Sequence, residues 1–140
     1  MKKILLNLAI CILATPTLFA ANASSKSKSD DYKVVSTSTG KASWYGGRWI
    51  GRKTANGEIY RAGDMTAAHK TLPFGTRVRV IDQKTGESTV VRINNRGPFV
   101  KGRVIDLSEA AASELGMKRR GVARVKLEVL AKEKSASNKG

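Results

Sequence analysis

Alternation of apolar and polar residues, the two-residue period of a half-buried strand, is the clearest local pattern in this chain. Residues 77–81 alternate throughout, and residues 89–93 alternate in their second half. The segment 84–87 between them reads Lys-Thr-Gly-Glu, a sequence typical of a turn. The pattern therefore predicts a β-hairpin in the middle of the chain.

The same period returns near the end of the chain. Residues 124–129 place Val125, Leu127 and Val129 between charged residues, which predicts a strand with one buried face and one wet face. The remaining short strand candidates cover residues 42–45, 65–68 and 103–106.

One short helix is predicted directly after Ser108. Ser108 is a suitable N-terminal cap, and Glu109 lies in the first turn, where a negative charge is favourable. Residues 109–115 are rich in Ala and Leu, and Gly116 is placed to end the helix. Several short strands and one small helix indicate a compact β-barrel, although the strand period alone does not select one kind of barrel.

The first 23 residues have the features of a cleavable export signal. Lys2 and Lys3 precede an apolar run over residues 4–13, and Ala21-Asn22-Ala23 forms a small-x-small cleavage site. The apolar run is short for a membrane anchor, which is the alternative interpretation. We therefore expect an exported protein of the periplasm or cell envelope, whose mature chain starts at Ser24.

Cys11 lies inside this signal and follows Ile10 instead of the small residue that a lipoprotein signal needs. Lipid attachment is therefore not expected, and removal of the signal leaves no cysteine for a disulfide or a metal site.

The folded part is expected to be a single domain over residues 40–131. Residues 24–39 are rich in Ser, Lys and Thr, which predicts a flexible linker, and residues 132–140 are predicted to form a disordered tail.

The charge balance is strongly basic. The chain has 26 Lys and Arg against 11 Asp and Glu, a net charge of +15. Nucleic acid would be the first partner to consider in a cytoplasmic protein, but an exported protein meets other polyanions. We expect anionic cell-envelope polymers as partners and no nucleic acid, with a merely solvated basic surface as the equally weighted alternative.

Aromatic residues are concentrated around two glycine-containing segments. Tyr45, Trp49 and Phe99 are candidates for stacking on sugar rings, and Trp49 is the best of them because glycines flank its loop. Core packing is the alternative for aromatic residues, and it is the stronger interpretation for Trp44.

Five motifs follow one another along the chain: ASWYG at 42–46, TANGE at 54–58, TAAHKTLPFGT at 66–76, NNRGPF at 94–99 and GRVIDLS at 102–108. In order and spacing they closely resemble the RlpA (rare lipoprotein A) family. The resemblance implies a small six-stranded double-psi β-barrel with one short helix. We expect a monomer and no cofactor. It also implies a lytic transglycosylase that cuts peptidoglycan glycan strands to 1,6-anhydro ends and prefers peptide-free strands.

Such a reaction needs a carboxylic acid in a groove, with a raised pKa, to protonate the leaving oxygen. Glu58 is the first candidate: it follows a loop-forming segment, although an ordinary surface glutamate would look the same. The resemblance makes Glu58 and His69, the single histidine of the chain, active-site residues. His69 alone is a poor metal site, so none is predicted.

Position 95 is the third catalytic position that the resemblance implies, and it departs from the family, which has Asp where this chain has Asn95. An amide has nearly the shape of a carboxylate but cannot ionise, so Asn95 keeps hydrogen bonding and loses charge. Arg96 is expected to bind a substrate carboxylate or to pair with Asp106.

Three residues near this position are assigned structural roles. Gly97 and Pro98 are expected to shape the turn that presents Asn95 and Arg96. Asp106 is more simply explained as a structural carboxylate that ties a strand to the next helix than as a catalyst.

Three functions stay open at this level. The first is the transglycosylase; the second is a catalytically weakened barrel that binds glycan, which Asn95 favours; the third is a cell-wall or division scaffold.

Overall fold

The structure, a computed structural model, describes residues 31–133. The predicted signal over residues 1–23, Cys11, and the segments 24–30 and 134–140 lie outside the described residues. Within residues 31–133, no helix has the length and apolar character needed to cross a membrane.

The described chain contains six strands, one short α-helix and a single-turn 3-10 helix over Gly47–Trp49. The strands and the α-helix are β1 (Tyr32–Trp44), β2 (Thr66–Ala68), β3 (Arg77–Asp82), β4 (Ser88–Asn95), β5 (Arg103–Leu107), α1 (Glu109–Glu114) and β6 (Ala123–Lys132). The strands close into a barrel in the order β1-β5-β2-β4-β3-β6. The pairs β1/β5 and β2/β4 are parallel, and the other neighbours are antiparallel.

The predicted hairpin and helix are confirmed. Strands β3 and β4 pair as an antiparallel hairpin across the turn at Gly86, whose φ of +77° suits glycine. Ser108 caps α1: its hydroxyl accepts a hydrogen bond from the backbone N–H of Ala111, and Gly116 follows the helix with a φ of +69°.

The barrel interior is filled by the inward residues of β3, β4, β5 and β6, with α1 closing one side. Fully buried members include Val80, Ile93, Ile105, Leu127 and, after the helix, Met117. This packing places the ends of β2, β4 and β5 side by side at one rim of the barrel.

The predicted linker over residues 24–39 is wrong for residues 32–39, which form the first part of β1. They pair with β6 from Tyr32↔Lys132 onward, although most of their side chains are exposed. A polar composition therefore did not mark a linker here, because backbone pairing with β6 orders the segment without burying its side chains. Lys132, assigned to the tail, likewise ends β6.

The predicted alternation over residues 124–129 holds as far as Leu127 and then breaks. The Glu128 side chain is only 12% exposed, and Val129 is half-buried. Glu128 lies opposite Arg79 on β3 and bonds it at 2.9 Å, with Lys126 at 2.7 Å from its other oxygen. Two cations thus compensate a largely buried carboxylate.

Candidate active site

Strand register brings three residues of the barrel rim into one row. Ala68 of β2 pairs with Asn95 of β4 on one side and with Asp106 of β5 on the other. Asp106 in turn pairs with Ser43 of β1. Because Ala68 has a small side chain, the row leaves room above it between Asn95 and Asp106.

That space is part of an open groove of about 290 Å³. Its floor includes Ala68, Asn95 and Asp106, and its walls include Tyr45, Trp49, Arg103 and the segment 96–100. The groove thus contains all four residues that the sequence marked as substrate-binding, and one carboxylic acid.

Asp106 is the carboxylic acid of this groove. Burial raises its pKa above the ordinary value for an aspartate, while the hydrogen bond from Ser43 Oγ and the charge of Arg103 oppose that shift. Ser43 Oγ donates to Asp106 Oδ1 at 2.7 Å. Asp106 thus lines the groove in addition to the structural role expected from the sequence, and its carboxyl holds a proton more readily than a carboxyl in water does.

Glu58 has the opposite environment. Both terminal nitrogens of the Arg92 guanidinium donate to its carboxylate, at 2.7 and 2.9 Å, and the side-chain amides of Asn56 and Asn94 donate at 2.8 and 3.2 Å. These donors, Arg92 first, lower the pKa of Glu58 to about 2. Glu58 is not among the residues that line the groove.

Asn95 uses its side-chain oxygen to join two segments. Oδ1 accepts hydrogen bonds from the backbone N–H of Ala55, at 3.0 Å, and of Arg96, at 2.9 Å. An amide oxygen accepts such bonds as a carboxylate oxygen does. Asn95 therefore retains a positioning role without a charge.

His69 follows β2 and holds the loop after it. Its Nδ1 accepts hydrogen bonds from the backbone N–H of Thr71, at 3.2 Å, and of Leu72, at 3.1 Å. Burial, together with the charges of Arg96 and Lys70, lowers the pKa of His69. The neutral ring thus carries its proton on Nε2, and the residue lies beside the groove without lining it.

Arg96 lines the groove and braces the same loop. Its guanidinium donates to the carbonyl oxygens of His69, at 3.2 Å, and Leu72, at 2.8 Å, and lies 4.0 Å from the centre of the Phe74 ring. It forms no ion pair with Asp106 within the described chain, contrary to one of its two expected roles.

Gly97 and Pro98 form part of the groove wall. Gly97 has a φ of +123°, which favours glycine, and both residues line the groove. They lead into Phe99, whose side chain is 82% exposed.

The other aromatic residues divide between surface and core. Trp49 is 42% exposed, and the guanidinium groups of Arg48 and Arg52 each lie 5.5 Å from its ring centre. Trp44 packs against the core, which confirms its structural interpretation. Tyr45 lines the groove and packs on Tyr60, with ring centres 4.8 Å apart.

The Tyr45 hydroxyl is buried without a hydrogen-bond partner in the described chain. Burial raises its pKa to about 12, so the hydroxyl stays protonated. It adds an uncharged donor to the neighbourhood of Asn95 and Thr66.

Sequence reasoning missed Arg92, Asn94 and Arg103. Arg92 lies in a segment read only as an alternating strand, so it passed for an outward-facing polar residue. Its partner is 34 residues away in the sequence, and no local pattern could have linked them. Within residues 31–133, no group of three His, Cys, Asp or Glu side chains is placed to hold a metal ion.

Comparison with known proteins identifies the family of this chain. Residues 37–127 match the model of a family described as lytic transglycolase. An endolytic peptidoglycan transglycosylase RlpA of Vibrio cholerae is 46% identical over 124 residues, covering 85% of this chain and 47% of the relative. The chain thus spans about half the length of this relative.

Two solved structures share the fold. The Streptomyces papain inhibitor superposes with a TM-score of 0.55 at 24% identity, covering 69% of this chain and 96% of the inhibitor. A Clavibacter michiganensis expansin gives 0.55 at 22% identity, covering 71% of this chain and 53% of the expansin. Together with the family match, they identify the barrel as the predicted double-psi β-barrel.

Proposed function

This chain belongs to the lytic transglycolase family of RlpA-like proteins, and from that premise we propose that it cleaves peptidoglycan glycan strands. The bond cut is that between MurNAc and GlcNAc, and the product carries a 1,6-anhydro end. The observation that carries the proposal is the Asp106 carboxyl, half-buried in an open groove with a raised pKa.

In this proposal Asp106 acts twice. Its protonated carboxyl gives a proton to the glycosidic oxygen as the bond to the leaving sugar breaks. The resulting carboxylate then takes the proton of the MurNAc C6 hydroxyl as that oxygen attacks C1, which closes the anhydro ring and regenerates the acid. No water is consumed, and one carboxyl is sufficient for both steps.

This assignment moves the acid from Glu58 to Asp106. An acid must hold its proton at the working pH, and the four donors around Glu58 favour its ionised form. Asn95 in place of the family's Asp is then compatible with cleavage, because its side-chain oxygen accepts backbone hydrogen bonds that need no charge.

The groove walls provide the glycan contacts. The exposed faces of Trp49 and Phe99 suit the C–H patches of sugar rings, and Arg96 and Arg103 provide positive charge for the lactyl carboxylate of muramic acid. Arginines at this position favour glycan without peptides, because removal of the peptide frees that carboxylate. Export to the envelope and attraction to its anionic polymers belong to the same proposal and rest on the signal-like first 23 residues and the basic composition.

A glycan-binding barrel without catalysis is the second candidate. It follows if cleavage needs a negative charge at position 95, which the Asp of the family pattern has and Asn95 lacks.

One experiment separates the two candidates: mass spectrometry of peptide-stripped peptidoglycan incubated with the protein, with Asp106→Asn and with Asn95→Asp. We expect 1,6-anhydro fragments from the unaltered protein and at least about 100-fold less from Asp106→Asn. Release by Asn95→Asp alone would favour the binding barrel, and equal release by Asp106→Asn would reject Asp106 as the acid. Circular dichroism of each variant checks the fold.

A further inference from the structure

Glu58 lies at the base of a tight loop that is tied into itself. Lys53 and Ile59 form a β-bridge, and the N–H of Thr54 donates to the carbonyl oxygen of Glu58 at 2.7 Å. Asn56 Oδ1 accepts from Thr54 Oγ1, at 2.6 Å, and from the N–H of Glu58, at 3.1 Å. The loop over residues 53–59 is therefore a small rigid unit.

Two contacts fasten this unit to the end of β4 through its backbone. The N–H of Asn56 donates to the carbonyl oxygen of Asn94 at 3.2 Å, and the N–H of Ala55 donates to Asn95 Oδ1 at 3.0 Å. The second contact reaches the groove, because Asn95 lies in its floor.

Side chains fasten the same two segments more strongly. Arg92 holds both carboxylate oxygens of Glu58, and Asn94 Nδ2 donates to one of them. A two-bond guanidinium–carboxylate contact fixes direction as well as distance. The two side chains are 36% and 40% exposed, so the isolated ion pair adds little stability, and its importance lies in the geometry that it imposes.

We infer that Glu58 and Arg92 form a clamp that holds loop 53–59 against β4 and thereby sets the position of Asn95 and the groove wall that follows it. Glu58 is thus a positioning residue for the proposed reaction, and the inference rests on that proposed function. The clamp acts on the chemistry through Asn95, without contact between Glu58 and the reacting atoms.

The test compares Glu58→Gln and Arg92→Gln with a matched control, Arg79→Gln. Arg79 is similarly exposed, at 31%, and bonds a carboxylate at 2.9 Å, but it lies on β3 away from the groove. Arg92→Lys is a milder variant that keeps the charge and loses the two-bond contact.

The first readout is amide hydrogen exchange by NMR, which needs no activity. The N–H of Ala55 should exchange at least about tenfold faster in both clamp variants. Its acceptor, Asn95 Oδ1, belongs to β4, so the hydrogen bond opens more often when loop 53–59 is no longer held against that strand. The N–H of Arg96 reaches the same acceptor from the adjacent residue, so it should change little and provides an internal reference. Arg79→Gln should leave both rates unchanged.

The second readout is the release of 1,6-anhydro fragments as a function of pH. A displaced groove floor should lower the rate about tenfold in Glu58→Gln and Arg92→Gln, and less in Arg92→Lys, with the pH profile unchanged. Complete loss of release in Glu58→Gln, with Ala55 still protected, would overturn the inference and make Glu58 a catalytic group. Unchanged Ala55 exchange in both clamp variants would also overturn it.

These outcomes are distinct from failure of the proposed function. If the unaltered protein releases no anhydro product, the proposed function fails, while the Ala55 exchange rates still decide whether the clamp exists.

Discussion

At the scale of single residues, the surroundings of two carboxyl groups shift their pKa values in opposite directions. Partial burial of Asp106 raises its pKa, although the hydrogen bond from Ser43 and the charge of Arg103 oppose that shift. Glu58 accepts from a guanidinium and two amides, so its pKa is lowered to about 2. Residue type and motif position had favoured Glu58, and neither contains information on solvation.

The raised pKa of Asp106 has two consequences of known sign. The proposed acid must be protonated, so glycan cleavage should fall as pH rises through this raised pKa. The folded state binds that proton more tightly than the unfolded state, so above this pKa the ionised carboxylate destabilises the fold.

We therefore expect Asp106→Asn to abolish cleavage and to raise Tm by a few degrees at neutral pH, because a desolvated charge is removed. Below the ordinary aspartate pKa, where Asp106 is neutral in both states, the gain should vanish. Thermal unfolding of both proteins over a pH series measures this. A lower Tm for Asp106→Asn at neutral pH would contradict the assignment.

At the scale of elements, the junction of β5 and α1 holds the end of β5 in place, and Asp106 lies at that end. Asp106 is two residues before the helix cap, so the cap also anchors the strand end that carries the proposed acid. The fully buried Ser108 hydroxyl donates to the carbonyl oxygen of Asp64 at 2.7 Å and accepts from the N–H of Ala111 at 3.3 Å. One side chain thus joins β5, α1 and the segment before β2.

Ser108→Ala should lower the free energy of unfolding by about 1–2 kcal/mol, because it removes the helix cap and one of the two hydrogen bonds that the Asp64 carbonyl oxygen accepts, the other coming from the N–H of Thr66 at 3.0 Å. Urea denaturation followed by circular dichroism measures the change. Ser113→Ala is the control: it lies in the same helix but is exposed, so its effect should stay within about 0.5 kcal/mol. Equal effects would show that the Ser108 hydroxyl contributes nothing specific.

At the scale of the whole molecule, charge is the dominant feature. Several cations surround the groove, among them Arg48, Arg52, Arg96 and Arg103, while Asp106 is its one acidic lining residue in the described chain. With a net charge of +15, the field of the protein should draw it toward anionic polymers.

Retention on purified peptidoglycan should therefore weaken several-fold between about 0.1 M and about 1 M salt, as the Debye length shrinks from about 10 Å to about 3 Å. Co-sedimentation at both ionic strengths measures it. Peptidoglycan with its carboxyl groups amidated should bind more weakly and show less salt dependence. If retention changes with neither salt nor amidation, binding would be due to aromatic stacking alone.

The sequence by itself determined the elements whose causes are local. Alternation marked the β3/β4 hairpin, and Ser108 with Gly116 marked α1, because strand faces and helix caps depend on residues a few positions apart. The ordered motifs led to the family and, through it, to the double-psi barrel.

Only the tertiary structure decided which groups meet. The row of Asp106, Ala68 and Asn95 exists because β2 lies between β4 and β5, and the contact of Glu58 with Arg92 spans 34 residues. Backbone pairing with β6 likewise ordered residues 32–39, whose composition had indicated a linker. Solvation, long-range pairing and register arise from packing, so the choice between Asp106 and Glu58 as the acid depends on the folded chain.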